Sequence, residues 1–440
     1  MCGIYGCASP NDKSFLDIIE GLIRLQHRGQ DSFGIANQQK FYKKMGLVKQ
    51  INHDEVKNIN GKYLIGHVRY RTSGEQSVEQ IHPINYGRIT IVHNGNIINK
   101  DVLKLNNYTK SQSDSQLLCE YLSKKLNVFL TNDLVFDVIN ELQRMLEGSF
   151  SMLIIIKDFG LVAVRDKNGI RPLVACETED GSFYFASESS ALKCHKKTFM
   201  FDFKAGESMI LRQYAGKFTI ENNIYKESCL TPCLFEYLYF ASNESVIDSI
   251  PIYQARYNIG RLLAKKIIDK DIDFIVPVPE SGRTFAYGVS KELGIPIHEA
   301  IIKNRYVDRT FIMLDNNKII KNIRRKLTIV DEIIKDKKIL LVDDSIVRGN
   351  TSKHIVKILK DSGVSKIYFA SASPKIININ QYGIYLPRKE ELIAYNKRHE
   401  ELEVEMGCDK VIYNDLTSIS DCLRDISTIP KGFEHSMFTP

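Results

Sequence analysis

The stretch ILLVDDSIVRGNTS, residues 339–352, decides the fold class of the second half of this chain. A short apolar run, residues 339–342, stops at two adjacent carboxylates, Asp343 and Asp344. A polar turn containing Gly349 follows, and a helical pattern begins beyond it. In α/β proteins ligands bind outside the carboxyl ends of strands, next to the N-terminus of the following helix. Backbone N–H groups of such a turn can cradle a phosphate, and the helix dipole favours the anion. Two acids at the strand end repel a phosphate but suit ribose hydroxyls or Mg²⁺. Phosphate, hydroxyls and a metal together point to a sugar phosphate.

The surroundings repeat the same grammar. A helical pattern over 253–269 leads to an apolar run over 273–279 and a second helical pattern ending at Gly294. A strand–helix–strand unit runs from 338 through 352–362 to 366–371, with Gly363 as the helix stop. This alternation predicts a mostly parallel sheet covered by helices. A charged stretch, 389–406, reads as a helix packing back on the surface.

The first half reads differently, as α+β. The segments at 90–95, 151–158 and 160–166 are β-rich and bounded by Gly, Asn or Asp. Helical patterns occupy 14–26, with Ile18, Leu22 and Leu25 on one face, and the residues after Ser113. The polar, turn-rich segment 214–231 marks the boundary between the halves. The domains are expected at 2–228, 229–386 and 387–440, the last a helical extension.

Composition narrows the class. A chain of 440 residues exceeds one ordinary core. The net charge of +7 comes without a basic block interleaved with aromatics, which argues against nucleic acid. Nine scattered cysteines without a C-x-x-C pair argue against a disulfide framework or a common zinc site. Cys7, Cys119, Cys176 and Cys194 read as small core residues. No apolar run reaches membrane-span length and no secretory signal is evident, so no membrane is expected and the cytoplasm is the default location.

The N-terminus carries its own chemistry. The chain begins Met-Cys-Gly, and removal of Met1 would leave Cys2 with a thiol and a free α-amino group. An α-amine of pKa about 7.7–8.0 can serve as a base near neutral pH, and a terminal amine can activate its own side chain. Alone, Cys2 would read as an inert thiol. Behind it, however, come QHRGQDSFGI (26–35), GHVRYRTSG (66–74), VHNGNI (92–97) and SQSDSQLL (111–118).

In order and spacing these motifs resemble the class II, N-terminal-nucleophile glutamine amidotransferases, an αββα sandwich fold. The resemblance implies that Cys2 attacks the glutamine side-chain amide. Asn94 and the backbone N–H of Gly95 would hold the oxyanion. Arg69 would pair with the α-carboxylate, Asp114 would take the α-ammonium, and Thr72 would assist. Singly, each residue has an ordinary role: a surface ion pair for Arg69, a helix cap for Asp114, a hairpin turn for Asn94 and Gly95.

The second half resembles the type I phosphoribosyltransferases. With CLFEYLYFAS (233–242), ARYNIG (255–260), PVPESG (277–282), KNRYVDRTFI (303–312) and the tail LIAYN…VIYNDLTSISD (392–421), nearly the whole chain resembles the amidophosphoribosyltransferase family. That family joins phosphoribosyl diphosphate (PRPP), glutamine and water into 5-phosphoribosylamine, glutamate and pyrophosphate, the committed step of purine synthesis. The resemblance assigns PRPP to Ser345, Ile346, Val347, Arg348, Gly349, Asn350, Thr351 and Ser352, with Lys303 and Arg305. It assigns one Mg²⁺ per subunit, bound with PRPP, to Asp343, Asp344 and Ser281.

The same resemblance makes residues 303–327 a lid over PRPP and Tyr70 a coupling residue between the sites. Purine nucleotide inhibitors and a homodimer or homotetramer are further family traits. Arg71, Asp308 and Asn350 depart from the family pattern, as does ASNES (241–245). Some members carry an iron–sulfur cluster. Here only Cys233 falls at a ligand position, Asn380 stands where a second cysteine is expected, and FEHS (433–436) lacks the terminal pair. Four thiolates are the normal requirement, so no cluster is expected. The rivals are another class II amidotransferase and a catalytically silent sensor of PRPP or nucleotides. The PRPP motif disfavours the first, and the intact set Cys2, Arg69, Asn94, Asp114, Asp343 and Asp344 disfavours the second.

Overall fold

The computed structural model describes residues 2–13, 15–70, 78–104, 112–269, 271–304, 327–384 and 388–440. Thr72, Arg71, Arg305, Asp308 and most of the expected lid lie outside them.

In the first half, alternation along each strand builds a four-layer sandwich. One sheet has the order Lys197–Asp202, Val174–Thr178, Phe183–Ala186, Cys2–Lys13, Gly61–Arg69, Ser32–Ala36, Phe41–Met45. The other has the order Lys217–Ile224, Glu207–Tyr214, Gly160–Arg165, Gly148–Ile156, Ile89–Ile97, Ile84–Tyr86. Ile4, Ala8, Ile65, Val92, Leu153 and Phe185 fill the space between the sheets. The alternate residues point outward. Tyr5, Cys7, Leu64 and Val68 meet the helix Phe15–Arg24. Ile89, Ile91, Met152 and Ile154 meet the helices Asp114–Lys125 and Asn132–Met145.

The second half is a parallel sheet, Phe274–Pro277, Lys338–Asp343, Lys366–Ser371, Lys410–Tyr413, with neighbours in chain order. Both faces are covered, as parallel sheets require. Ile275, Leu340, Val342 and Ala370 pack on the side of helices Ile252–Ala264 and Arg283–Leu293. Phe274, Ile339, Leu341 and Phe369 pack on the side of Asn350–Asp361 and His399–Met406. The protein is thus α/β, with an antiparallel sandwich followed by a parallel sheet.

Three local expectations change. The segment 214–231 contains the edge strand Lys217–Ile224, paired residue for residue with Glu207–Tyr214. Its mostly exposed polar side chains hid the strand, because little of it faces a core. The stretch 389–406 is not one helix. A short turn, Lys389–Glu391, leads to buried Leu392, Ile393 and Ala394 before the helix His399–Met406 begins. Cys194 is exposed rather than core, while Cys7, Cys119 and Cys176 are buried as expected. No described helix is long and apolar enough to cross a membrane.

Candidate active site

Strand parity sets the end of the sandwich that carries Cys2. Cys2 shares the inward face with Ile4 and Ala8, Arg69 with Tyr63 and Ile65, and Asn94 with Val92. All three therefore look into the rim of the space between the sheets, although Cys2 and Asn94 belong to different sheets. Cys2 and Arg69 are direct partners across the strand pair. The backbone nitrogen of Cys2 donates to Asn94 Oδ1 at 3.4 Å. Asn94 is buried, and its Nδ2 has no hydrogen-bond partner among the described residues. A buried amide donor without a partner costs stability unless something else accepts from it.

Asn94 and Gly95 are not a hairpin turn; they lie inside the strand Ile89–Ile97. Gly95 has φ +154°, and a Cβ there would meet the Ser149 carbonyl oxygen at 2.0 Å, so only glycine fits. Asp114 is not the helix cap. Ser113 caps the helix, reciprocally with Gln116. Asp114 occupies the first turn, where its carboxylate accepts from the N–H groups of Ile97 at 3.1 Å and Ser115 at 2.7 Å. That ties it to the strand carrying Asn94. Arg69 donates to Gln80 at 3.2 Å. Tyr70 follows it, half-buried, and Thr72 lies outside the described residues.

Beneath this rim sits a group of buried histidines. His67 and His82 stack at 4.4 Å between centroids, and His67 Nε2 lies 3.2 Å from the His93 carbonyl oxygen. Burial, then the charge of Arg69, pushes the His67 pKa down to about 3. His82 is also held well below its usual value, by burial first and then by His67. Both rings are neutral at physiological pH.

The second site forms at the carboxyl end of Lys338–Asp343. Asp343 and Asp344 are both buried, and the Asp344 N–H donates to Asp343 Oδ1 at 2.9 Å. Burial and the neighbouring Asp344 charge raise the Asp343 pKa well above the ordinary carboxylate range, while the Ser281 hydroxyl opposes the rise. Ser281 of the PESG loop thus lies on the side of the acid pair. Gly282 fixes the approach, since a Cβ there would lie 2.3 Å from the Val342 carbonyl oxygen. Two adjoining buried carboxylates with a serine hydroxyl are hard oxygen donors and suit a divalent cation shared with substrate phosphates.

The turn after Asp344 closes at Gly349, whose φ of +73° places it before helix Asn350–Asp361. A Cβ on Gly349 would meet Ile393 Cδ1 at 2.2 Å, and the Ile393 N–H donates to the Val347 carbonyl at 3.0 Å. The segment after 391, which carries LIAYN, thus braces the turn 345–349. Ser345 hydrogen-bonds Asp344. Arg348 pairs with Glu391 at 2.9 Å, so its cation already has a protein partner. Asn350 and Thr351 are exposed, and Ile346 and Ser352 buried. Lys303 ends the strand Ile301–Lys303, exposed and paired with Leu327, at the root of the expected lid.

Arg28 of QHRGQD and Glu236 of CLFEYLYF meet in the structure, which their sequence contexts do not indicate. Arg28 is buried; its Nε donates to the Cys2 carbonyl at 3.0 Å and its Nη2 to Glu236 at 2.7 Å. A motif alone cannot announce a contact made across 208 positions of sequence.

Comparison with known proteins agrees with this division. Residues 67–194 match the glutamine amidotransferase domain family and residues 247–375 the phosphoribosyl transferase domain family. The chain is 38% identical to the amidophosphoribosyltransferase of Haemophilus influenzae, over 100% of this chain and 92% of that one. It is 38% identical to the Saccharomyces cerevisiae enzyme of that name, with the same shares covered. Among solved structures it resembles the glutamine PRPP amidotransferase of B. subtilis complexed with ADP and GMP. There the TM-score is 0.84 at 30% identity, covering 96% of this chain and 92% of that chain. The chain belongs to the amidophosphoribosyltransferase family.

Proposed function

We propose that the protein makes 5-phosphoribosylamine by two coupled reactions, with the glutaminase centre at Cys2 and the transferase centre at Asp343 and Asp344. The observation that carries the first assignment is the meeting of Cys2, Arg69 and Asn94 at one rim, with the Asn94 Nδ2 donor unpartnered among the described residues. The Cys2 thiolate attacks the glutamine side-chain carbonyl, and the terminal amine, once Met1 is removed, takes the thiol proton. Asn94 Nδ2 and the Gly95 N–H hold the oxyanion as the tetrahedral species forms. The terminal ammonium returns its proton to the leaving nitrogen as the tetrahedral species collapses to the thioester and ammonia, and water then cleaves the glutamyl thioester to free glutamate and restore the Cys2 thiol. Arg69 holds the substrate carboxylate and Asp114 and Thr72 its ammonium end, while Tyr70 links this centre to the second.

At the transferase centre the turn 345–352 holds the 5-phosphate through backbone N–H groups, with Lys303 and Arg305 adding positive charge. Asp343, Asp344 and Ser281 would hold one Mg²⁺, which supplies charge neutralisation for the departing pyrophosphate. Ammonia reaches the ribose C1 internally, which keeps it from protonation in bulk water. No protein nucleophile is needed; the site works by positioning and charge stabilisation.

The domain limits are taken as 2–228, 229–386 and 387–440. Purine nucleotides as inhibitors and a homodimer or homotetramer accompany this reading; the B. subtilis structure with ADP and GMP supports the first. We take the protein to carry no iron–sulfur cluster. Asn380 Nδ2 donates to Glu434 at 3.0 Å, and Glu434 bridges the backbone of Cys233, so a single thiol meets an amide and a carboxylate where four thiolates would be needed.

The test is stoichiometry. With PRPP, glutamine and Mg²⁺ the protein releases glutamate and pyrophosphate in equal amounts. Glutamate release without pyrophosphate would contradict the two-centre assignment.

A further inference from the structure

The two halves of the glutaminase centre sit on different sheets, Cys2 on one and Gly95 on the other. Each is touched by the transferase half of the chain. Arg28 donates from Nε to the Cys2 carbonyl, and Glu236 accepts from both of its terminal nitrogens, at 3.0 and 2.7 Å, while Glu188 of the amidotransferase half also accepts from Nη1 at 2.5 Å. Arg28 and Glu236 are each about 1% exposed, so water does not screen the pair. Glu236 also accepts from Arg171 Nη1 at 3.2 Å. The other end of Arg171 donates to the Tyr382 carbonyl at 3.0 Å. The same carbonyl accepts from Ser149 at 2.9 Å, and Asn96 donates to the Gln381 carbonyl at 2.8 Å. These bonds press the loop 381–383 onto the strand of Gly95. Gly383 has φ +99°, and a Cβ there would lie 3.3 Å from the carbonyl carbon and oxygen of Gly95. Asn380 braces the loop from behind, accepting from the Tyr382 N–H at 2.9 Å and donating to Glu434.

We propose that Glu236 and the loop 381–383 are positioning elements for glutamine hydrolysis, Glu236 setting the nucleophile through Arg28 and the loop setting the strand of Gly95 through its bonds to Asn96 and Ser149. This rests on the assignment of Cys2 and Gly95 to that reaction. Reactions of this kind lose about a hundredfold when a reacting group is misplaced by an ångström. A sandwich whose two sheets carry one catalytic element each gains alignment from a third body gripping both. The transferase half thus adds a second hold on Arg28, beside that of Glu188, and a brace on the strand of Gly95.

The experiment compares wild type, Gly383→Ala, Asn380→Ala and Glu236→Gln in the full-length protein. Four readouts are taken: glutamine-dependent kcat, KM for glutamine, ammonia-dependent synthesis, and the rate of Cys2 labelling by a diazoketone analogue of glutamine. The expected result is a glutamine-dependent kcat lowered about tenfold to a hundredfold, slower labelling, and a KM for glutamine and ammonia-dependent synthesis both within about twofold of wild type. Asn380→Ala removes support without adding bulk, so it reports even if Gly383→Ala or Glu236→Gln does not fold. Equal loss of both activities, or an unchanged glutamine-dependent kcat, would overturn the proposal. Cys2→Ala run in parallel separates the two failures. If it still hydrolyses glutamine, the assignment of Cys2 fails; if it does not and the other variants behave as wild type, only the positioning role fails.

Discussion

Cys2 and Arg69 face each other as direct partners at the end of an antiparallel strand pair, with both side chains on the inner face of the sandwich. The nucleophile and the proposed carboxylate clamp thus share one backbone frame. Arg69→Ala should raise the KM for glutamine at least about tenfold, from loss of a charge-assisted bond worth about 1.5–3 kcal/mol. Arg69→Lys should recover only part of it, because an ammonium lacks the planar fork. Ammonia-dependent synthesis should stay unchanged in both. A KM for glutamine equal to wild type in Arg69→Ala would count against the clamp.

Asn94 Nδ2 has no hydrogen-bond partner among the described residues, and its Oδ1 accepts from Cys2. Asn94→Ala should lower the glutamine-dependent kcat by about 10²–10³, the usual effect of removing an oxyanion donor. Steady-state kinetics with varied glutamine checks this, and a purely KM effect would move Asn94 out of the oxyanion role.

Much of this was legible beforehand because it is local. The acid pair after an apolar run, Gly349 before a helix and Asn94-Gly95 in a β-rich segment are short motifs readable from neighbours in sequence, although the strand runs on through Asn94 and Gly95 to Ile97. Period-two alternation also made the β-rich segments readable. What stayed hidden depends on distant contacts. Glu236 and Arg171 are charged residues in apolar or turn contexts, and only the fold shows that they meet at 3.2 Å. Ile393 sits in a charged stretch that reads as a surface helix, yet it is buried against Gly349. The edge strand Lys217–Ile224 lacks a buried face and so lacks a pattern.

The turn 345–349, proposed to hold the 5-phosphate, depends on glycine at 349. Gly349→Ala forces a side chain into positive φ, at a cost of about 1–3 kcal/mol, and drives it into Ile393. The KM for PRPP should rise with either nitrogen donor, while Cys2 labelling by the diazoketone in the absence of PRPP should be unaffected. An unchanged KM for PRPP would contradict the placement of the 5-phosphate there.

The buried histidines make stability depend on pH. Unfolded, each ring has a pKa of about 6.5; folded, His67 is depressed to about 3 and His82 is held well below its usual value. The unfolded chain therefore binds the protons first. The stability tied to their neutral forms is complete above about pH 6.5 and is lost as pH falls, for His67 down to about pH 3. Each contributes a slope of about 1.4 kcal/mol per pH unit inside that window. Asp202, raised to about 6 by burial and by Asp248, works in the opposite direction, gaining stability as pH falls through about 6. The difference between chains isolates the histidines. Urea unfolding between pH 7 and 5 should fall less steeply in His82→Gln than in wild type. Parallel curves would contradict the buried neutral assignment.

The central claim is a division of labour between Cys2 and the Asp343–Asp344 site, and one measurement tests it most directly. Phosphoribosylamine synthesis by Cys2→Ala is followed with PRPP and Mg²⁺, once with glutamine and once with ammonia as the nitrogen donor. The predicted result is no synthesis from glutamine and near wild-type synthesis from ammonia. Synthesis from glutamine by Cys2→Ala, or loss of synthesis from ammonia in the correctly folded variant, would contradict it.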